Sequence, residues 1–332
     1  MSKDQRLNRR ELIAGTAAIA GSLATTPACS EVKADTATLS GKSILITGCS
    51  SGFGRLGAEH YAKLGAKVIA TMRNLPRPEA DELRALAKRD GLDIHVLEID
   101  VRSEDQVNAG VKEAEKLAGG VIDVLINNAG LGISGPVEVQ DMEATELTFD
   151  TNVFGCLRMA QAALPAMRQA KSGQIFNISS QLGRMIVPSI GHYCASKFAL
   201  EAMSEQMAYE LVPHGVEVTI IEPGGYPTKV WTNRNQYAAD LRQRTGTELQ
   251  AAYPELVEAM GHEDGSGRTT DPMDVPRAIA AVIALPAGKR PLRKIVHPSF
   301  RPQEAINKVS ADSQLEFLGQ SAFGPWVKDV LD

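Results

Sequence analysis

The sequence is short of the residues that build metal centres. Its four cysteines, Cys29, Cys49, Cys156 and Cys194, form no CxxC pair, and its six histidines do not cluster at ligand spacing. That sets metal chemistry aside and leaves the thiols as small packing residues. A charge bias is missing too: 35 basic residues stand against 40 acidic ones, a net charge of −5, and the basic ones are scattered. Without a basic stripe there is no electrostatic footprint for nucleic acid. The uncharged stretch between Glu11 and Glu31 is mostly Ala, Gly, Thr and Ser, too weakly apolar for a membrane-spanning helix. Repeats and low-complexity tracts are absent. What is there is a chain of 332 residues, 43% hydrophobic, long enough for one large core or two ordinary ones.

The uncharged stretch follows paired arginines, Arg9 and Arg10. A basic start, a modest apolar middle and small residues near its end outline an export signal over residues 1–34, similar to the twin-arginine kind. The expectation is a protein handled by export machinery and left in the periplasm or at the membrane; a disordered extension on a cytoplasmic protein is the plainer alternative. Cleavage would fall near "TPAC" or "VKA". "TPAC" is a poor lipoprotein box, because Thr26 stands where leucine is expected three residues before Cys29.

From residue 43 short apolar runs alternate with amphipathic ones. Strands are expected at 43–47, 67–71, 93–99, 122–127, 173–179, 216–222 and 293–297, and helices at 55–65, 78–90, 103–118, 143–170, 193–212 and 273–285. Continuous Val/Ile/Leu strands separated by helices imply an α/β fold: a doubly wound, Rossmann-like parallel sheet covered on both faces, in a single domain over about 41–300. Such sheets bind ligands at the carboxyl ends of their strands.

The first strand runs into "TGCSSGFG", with Thr47, Gly48, Gly52 and Gly54 before a helix. Glycines there let the backbone turn tightly and approach a pyrophosphate. The second strand ends in "ATMRN". An acid at that point would suit a free ribose hydroxyl. Met72 cannot accept its hydrogen bonds, whereas the Arg73 guanidinium suits a 2′-phosphate, so NADP(H) is expected over NAD(H). Asp100 and Val101 end the third strand where an adenine would lie, and "NNAG" (127–130) ends the fourth. "YCASK" places Tyr193 and Lys197 four apart, on one helical face. A free phenol has a pKa near 10, and a neighbouring ammonium favours its phenolate. Taken alone, that pair is no more than one turn of a buried helix.

The ordered set "TGCSSGFG", "DV", "NNAG", "TNVFG", "NISS", "YCASK" and "EPGGYPT" resembles the short-chain dehydrogenase/reductase family, in its TGxxxGxG branch and most like the hydroxysteroid and retinol dehydrogenase neighbourhood. The resemblance implies Tyr193 as general acid/base, Lys197 as its partner, Ser180 holding the substrate oxygen (Ser179 is the lesser candidate) and Asn152 in a proton relay. It implies cofactor contacts from Gly48, Ser50, Ser51, Gly52, Phe53, Gly54, Arg73, Asp100, Val101, Asn127, Ala129, Gly130, Tyr193 and Lys197, and from Pro223, Gly224 and Thr228 in the "PGGYPT" turn. It also implies a homodimer or homotetramer.

The activity implied is NADP(H)-dependent interconversion of a hydroxyl and a carbonyl on a small, hydrophobic alcohol or ketone. A non-catalytic NADP(H)-binding redox sensor stays open, as does an epimerase or dehydratase with tightly held nucleotide. Residues 229–270 stand where the family carries a substrate loop or lid, and Trp231, Tyr237, Leu241, Tyr253, Leu256 and Met260 give that segment an apolar side. Residues 301–332 form a C-terminal extension, expected to close the pocket or touch a neighbouring subunit.

Overall fold

The computed structural model describes residues 38–263 and 265–331. The signal-like segment, with Arg9, Arg10 and Cys29, lies outside the described residues. Seven strands form one parallel sheet: β1 (Ser43–Ile46), β2 (Lys67–Met72), β3 (Ile94–Glu98), β4 (Val124–Asn127), β5 (Gly173–Ile178), β6 (Val216–Pro223) and β7 (Arg293–Val296). Their spatial order is β3-β2-β1-β4-β5-β6-β7. Order therefore reverses between β1 and β4, and a crevice opens at the carboxyl ends of those two strands. β1, β4 and β5 are buried at every position, as strands covered on both faces must be, while the edge strands β3 and β7 are only partly buried.

Helices α1 (Gly52–Lys63), α2 (Pro78–Asp90) and α3 (Glu104–Ala118) follow the first three strands. α1 begins at Gly52 rather than at residue 55. Ser51 is extended ahead of it, so Gly52 and Gly54 belong to its first turn. The stretch expected as one helix over 143–170 is α4 (Met142–Phe149), a π-helical turn (Asp150–Phe154) and α5 (Gly155–Ala170). α6 (Tyr193–Leu211) follows β5. The expected lid holds α7 (Val230–Arg244), α8 (Thr247–Ala252) and α9 (Pro254–Glu258), after which α10 (Asp274–Ile283) leads to β7.

One face of the sheet is covered by α1, α2 and α10 through Ala58, Tyr61, Leu83, Val275 and Ile279. The other is covered by α3, α5 and α6 through Val107, Val111, Met159, Ala163 and Met207. A smaller cluster seats the lid: Ala238, Leu241, Val257 and Met260 pack on Leu131 and Ile133. The extension forms α11 (Gln303–Leu318) and α12 (Gly324–Leu331). α12 packs on α6, and Asn307 of α11 donates to both carboxylate oxygens of Glu222, at 3.0 and 2.8 Å. Neither helix lines the crevice, so the extension does not close it. Among the described residues no helix is long and apolar enough to cross a membrane, and no group of three or more His, Cys, Asp or Glu is placed to hold a metal.

Candidate active site

The crevice is a cavity of about 420 Å³. Its floor is fastened by Thr47, whose Oγ1 accepts from the backbone N–H of Asn128 and Ala129 at 3.0 and 2.9 Å. Asn128 returns the contact, donating through Nδ2 to the carbonyls of Thr47 (2.8 Å) and Gly48 (3.2 Å). These bonds lay the loop after β1 against the loop after β4. Gly48 has φ +73°, and a Cβ there would come within 3.0 Å of the Ala129 Cα. Glycine is required on both counts.

Gly48, Ser50, Ser51, Gly52, Phe53, Ala129 and Gly130 line the cleft, as do Pro223, Gly224 and Thr228 opposite. Two expected contacts do not. Gly54 sits beneath the loop, where a Cβ would lie 2.4 Å from the Gly48 carbonyl oxygen; it lets α1 approach the loop. Asn127 turns into the core, donating to Asn177 Oδ1 at 2.8 Å, because it still belongs to β4 and the next residue points the other way. Asn128 takes the cleft position.

Where β2 and β3 end, Met72 is buried and Arg73, Asp100 and Val101 line the wall. Arg73 donates through Nη2 to the Tyr237 hydroxyl of α7 at 2.9 Å. Sequence reasoning missed two further arginines there. Arg77 donates to the Arg73 carbonyl (3.4 Å) and grips Glu79 at 2.9 and 3.1 Å, which holds that carboxyl down at about 2. Arg102 bonds Asp100 at 2.9 and 3.3 Å; burial pushes the Asp100 carboxyl up, but these bonds hold it below the ordinary range. Among the cleft-lining cations, Arg77, Arg102 and Arg234 already carry carboxylate partners in Glu79, Asp100 and Glu263, whereas Arg73 bonds a phenol and Lys197 a backbone carbonyl. Those last two suit an anionic ligand.

At the other end Tyr193 opens α6 and Lys197 follows one turn later. Lys197 is 5% exposed; its Nζ donates to the Ile178 carbonyl at 2.7 Å and lies 5.6 Å from the Tyr193 ring centroid. Ser180 Oγ accepts from Leu182 N–H at 3.0 Å, which leaves its own proton to donate. Ser180, Tyr193 and Lys197 line the same cavity. Asn152 does not. It sits fully buried in the π-helical turn, Oδ1 accepting from Leu131 N–H (2.9 Å), Nδ2 donating to the Leu131 carbonyl (2.8 Å) and to Ser196 Oγ (3.0 Å). Its side chain pins the loop after β4 to α6.

The lid contributes Trp231, Asn233, Arg234, Gln236 and Tyr237 to the cleft. Trp231 Nε1 donates to the Tyr226 carbonyl at 2.8 Å, and the Arg268 guanidinium lies 3.7 Å over its ring. Cys156 and Cys49 are buried behind the wall, where burial raises their thiols to about 11 and about 12. Neither is a nucleophile near neutral pH.

Residues 42–239 match the family described as short chain dehydrogenase. The chain is 40% identical over 192 residues to 3-ketodihydrosphingosine reductase of Bacteroides thetaiotaomicron, which spans 58% of this chain and 66% of that relative, just under two thirds of its length. It is 31% identical to human retinol dehydrogenase 8 over 82% of this chain and 87% of that one. Among solved structures it is similar to a short chain dehydrogenase/reductase from Burkholderia phymatum in complex with NAD: TM-score 0.67, 25% identity, 84% of this chain and 95% of that chain.

Proposed function

The chain belongs to the short-chain dehydrogenase family, and from that premise we propose that it is an NADP(H)-dependent oxidoreductase interconverting a hydroxyl and a carbonyl on a small substrate with an apolar body. The observation that carries the reading is that Ser180, Tyr193 and Lys197 share one cleft with the glycine loop.

The residues present fit a dinucleotide. Gly48 leaves room that a Cβ would fill, and arginines crowd the end where a 2′-phosphate would lie. Arg73 supports NADP(H) over NAD(H): among the described residues its side-chain hydrogen-bond partner is the Tyr237 hydroxyl, so no carboxylate hydrogen bond cancels its charge. When bound, the nicotinamide supplies or accepts the hydride. In reduction the carbonyl carbon gains that hydride, its oxygen gains one proton, and the product is the alcohol; oxidation returns both. Tyr193 gives or takes the proton at that oxygen. Ser180 donates a hydrogen bond to the same oxygen as negative charge grows there. Lys197, held by the Ile178 carbonyl, keeps a cation beside the phenol. Asn152 Oδ1 and Lys197 Nζ lie 3.3 and 3.8 Å from where a Cβ on Gly130 would be, so the small residue at 130 lets both sit close to this loop.

The test is NADPH oxidation by the full chain across a panel of ketones and aldehydes, with NADH in parallel. Turnover of at least one carbonyl is expected, weaker with NADH, and lowered by about 10²–10⁴-fold in Tyr193→Phe. Tight nucleotide binding without any turnover would sink the catalytic reading.

A further inference from the structure

Arg234 projects from α7 into the cleft and is 8% exposed. Its Nη1 lies 3.0 Å from Glu263 Oε2, and its guanidinium sits 5.6 Å from the Trp231 ring centroid. Among the described residues its Nε and Nη2 have no hydrogen-bond partner. A guanidinium carries those two N–H groups side by side on one edge, at the spacing of a carboxylate's two oxygens. Glu263 takes the other side, so the edge left without a partner is a complete bidentate fork, itself shielded from solvent. Buried N–H groups of a cation are expensive to leave unpaired, and sites that leave them so are set for a ligand.

One turn on from Arg234, Ala238 belongs to the apolar cluster of Leu131 and Ile133, and a Cβ on Gly132 between those two would lie 3.3 Å from Tyr193 Cδ2, so this stretch of α7 is seated beside the loop that faces Tyr193. Burial pulls the Arg234 pKa down, and Glu263, the Tyr193 phenol and the Cys194 thiol oppose that pull. Arg73 reaches the same helix three residues further on, at Tyr237. Trp231 lies beside Arg234, and Leu131 and Leu182 supply apolar wall in the same cavity.

We propose that Arg234 anchors the substrate and that the substrate is an oxo acid or hydroxy acid, its carboxylate held on the Nε–Nη2 edge while its carbonyl or hydroxyl meets Tyr193 and Ser180. This rests on the hydroxyl–carbonyl reading of the cleft. It narrows an alcohol or ketone with an apolar body to one that also bears an anion.

The test compares kcat/KM for acetoacetate and levulinate with those for their methyl esters, on the full chain with saturating NADPH. The acids are expected to lead by about 30-fold or more, the scale set by truncating one partner of a buried charge pair. Arg234→Met should collapse that ratio, and Arg234→Lys should keep part of it. The NADPH Kd of each variant, read by fluorescence, should stay at the wild-type value. Equal use of acid and ester by wild type overturns the proposal. A rise in NADPH Kd that matches the loss in kcat/KM reassigns Arg234 to the nucleotide and also overturns it. If wild type reduces no carbonyl at all, the oxidoreductase reading fails, and binding still decides the anchor. Hexanoate, but not hexanamide, should then raise the melting temperature of the nucleotide-loaded wild type and not of Arg234→Met; no such difference overturns it.

Discussion

A methyl group at position 54 would lie 2.4 Å from the Gly48 carbonyl oxygen and 2.5 Å from Asn128 Nδ2. Both atoms belong to the Thr47–Asn128 fastening, so neither yields cheaply. Gly54→Ala is expected to cost about 1–3 kcal/mol and to weaken nucleotide binding at least about tenfold. Gly246→Ala is the control: φ is −65° and nothing lies within 4 Å of its Cβ position, so a change below about 1 kcal/mol is expected. Thermal unfolding and nucleotide titration of both variants check this, and equal behaviour would remove the packing argument. The same glycine marks what a motif conveys. "TGCSSGFG" announces a close backbone approach, but not whether a given glycine faces the ligand or the next turn. Asn127 and Asn128 make the point again. Two identical residues at the end of a strand buried on both faces carry no pattern to say which points into the crevice.

Between elements, the Arg73–Tyr237 bond joins the end of β2 to the lid helix α7. On the NADP(H) reading proposed above, the phenol orients the guanidinium for a 2′-phosphate, so Tyr237→Phe is expected to raise the NADPH Kd about 2- to 10-fold, the worth of one hydrogen bond, and to leave the NADH Kd unchanged. Equal weakening of both nucleotides would show that the bond serves the lid alone. Spacing made the strands, helices and sheet type legible, because period 2 and period 3.6 are direct consequences of which faces are buried. The break inside 143–170 was not legible. A π-helical turn at Asp150–Phe154 needs no Gly or Pro and keeps the apolar pattern running through it, yet it shifts the register enough to bury Asn152. Arg234 was missed for a related reason. α7 is polar around much of its circumference, and only packing decides which arginine turns inward.

Behind the cleft lies a charge cluster that spans the fold: Glu201 and Glu205 from α6, Glu222 from β6 and Arg293 from β7, with Asn307 from α11. Glu222 is fully buried, and burial together with the charge of Glu201 raises its carboxyl to about 7, well above the ordinary 4.5. The protonated form is thus favoured by folding. Its contribution is fully present below about pH 4.5 and is lost as pH rises through about 7. Glu222→Gln should remove that fall, keeping its contact because Asn307 Oδ1 is free to accept from the new amide. Melting temperatures between about pH 5 and 8 should show wild type losing ground to the variant as pH rises, by about 1–3 kcal/mol overall; a constant gap would refute it. The lowered carboxyls of Glu79, Asp141 and Asp271 respond at more acidic pH, while Glu201 and Glu115, raised by burial, and His297, lowered by it, are present in both proteins, so it is the difference between wild type and variant that reads Glu222. The pairing of α1 with α10 bears on how the chain is made. Synthesis delivers residues 52–63 early, but the helix that covers them with Val275, Ile279, Val282 and Ile283 arrives some two hundred residues later. Four such side chains, at roughly 1.5–3 kcal/mol each, amount to much of a typical domain's ~5–15 kcal/mol of stability. A nascent chain halted before residue 274 therefore leaves the outer side of α1 and the β6 end of that face uncovered, apolar surface that only the last stretch of the polypeptide can bury.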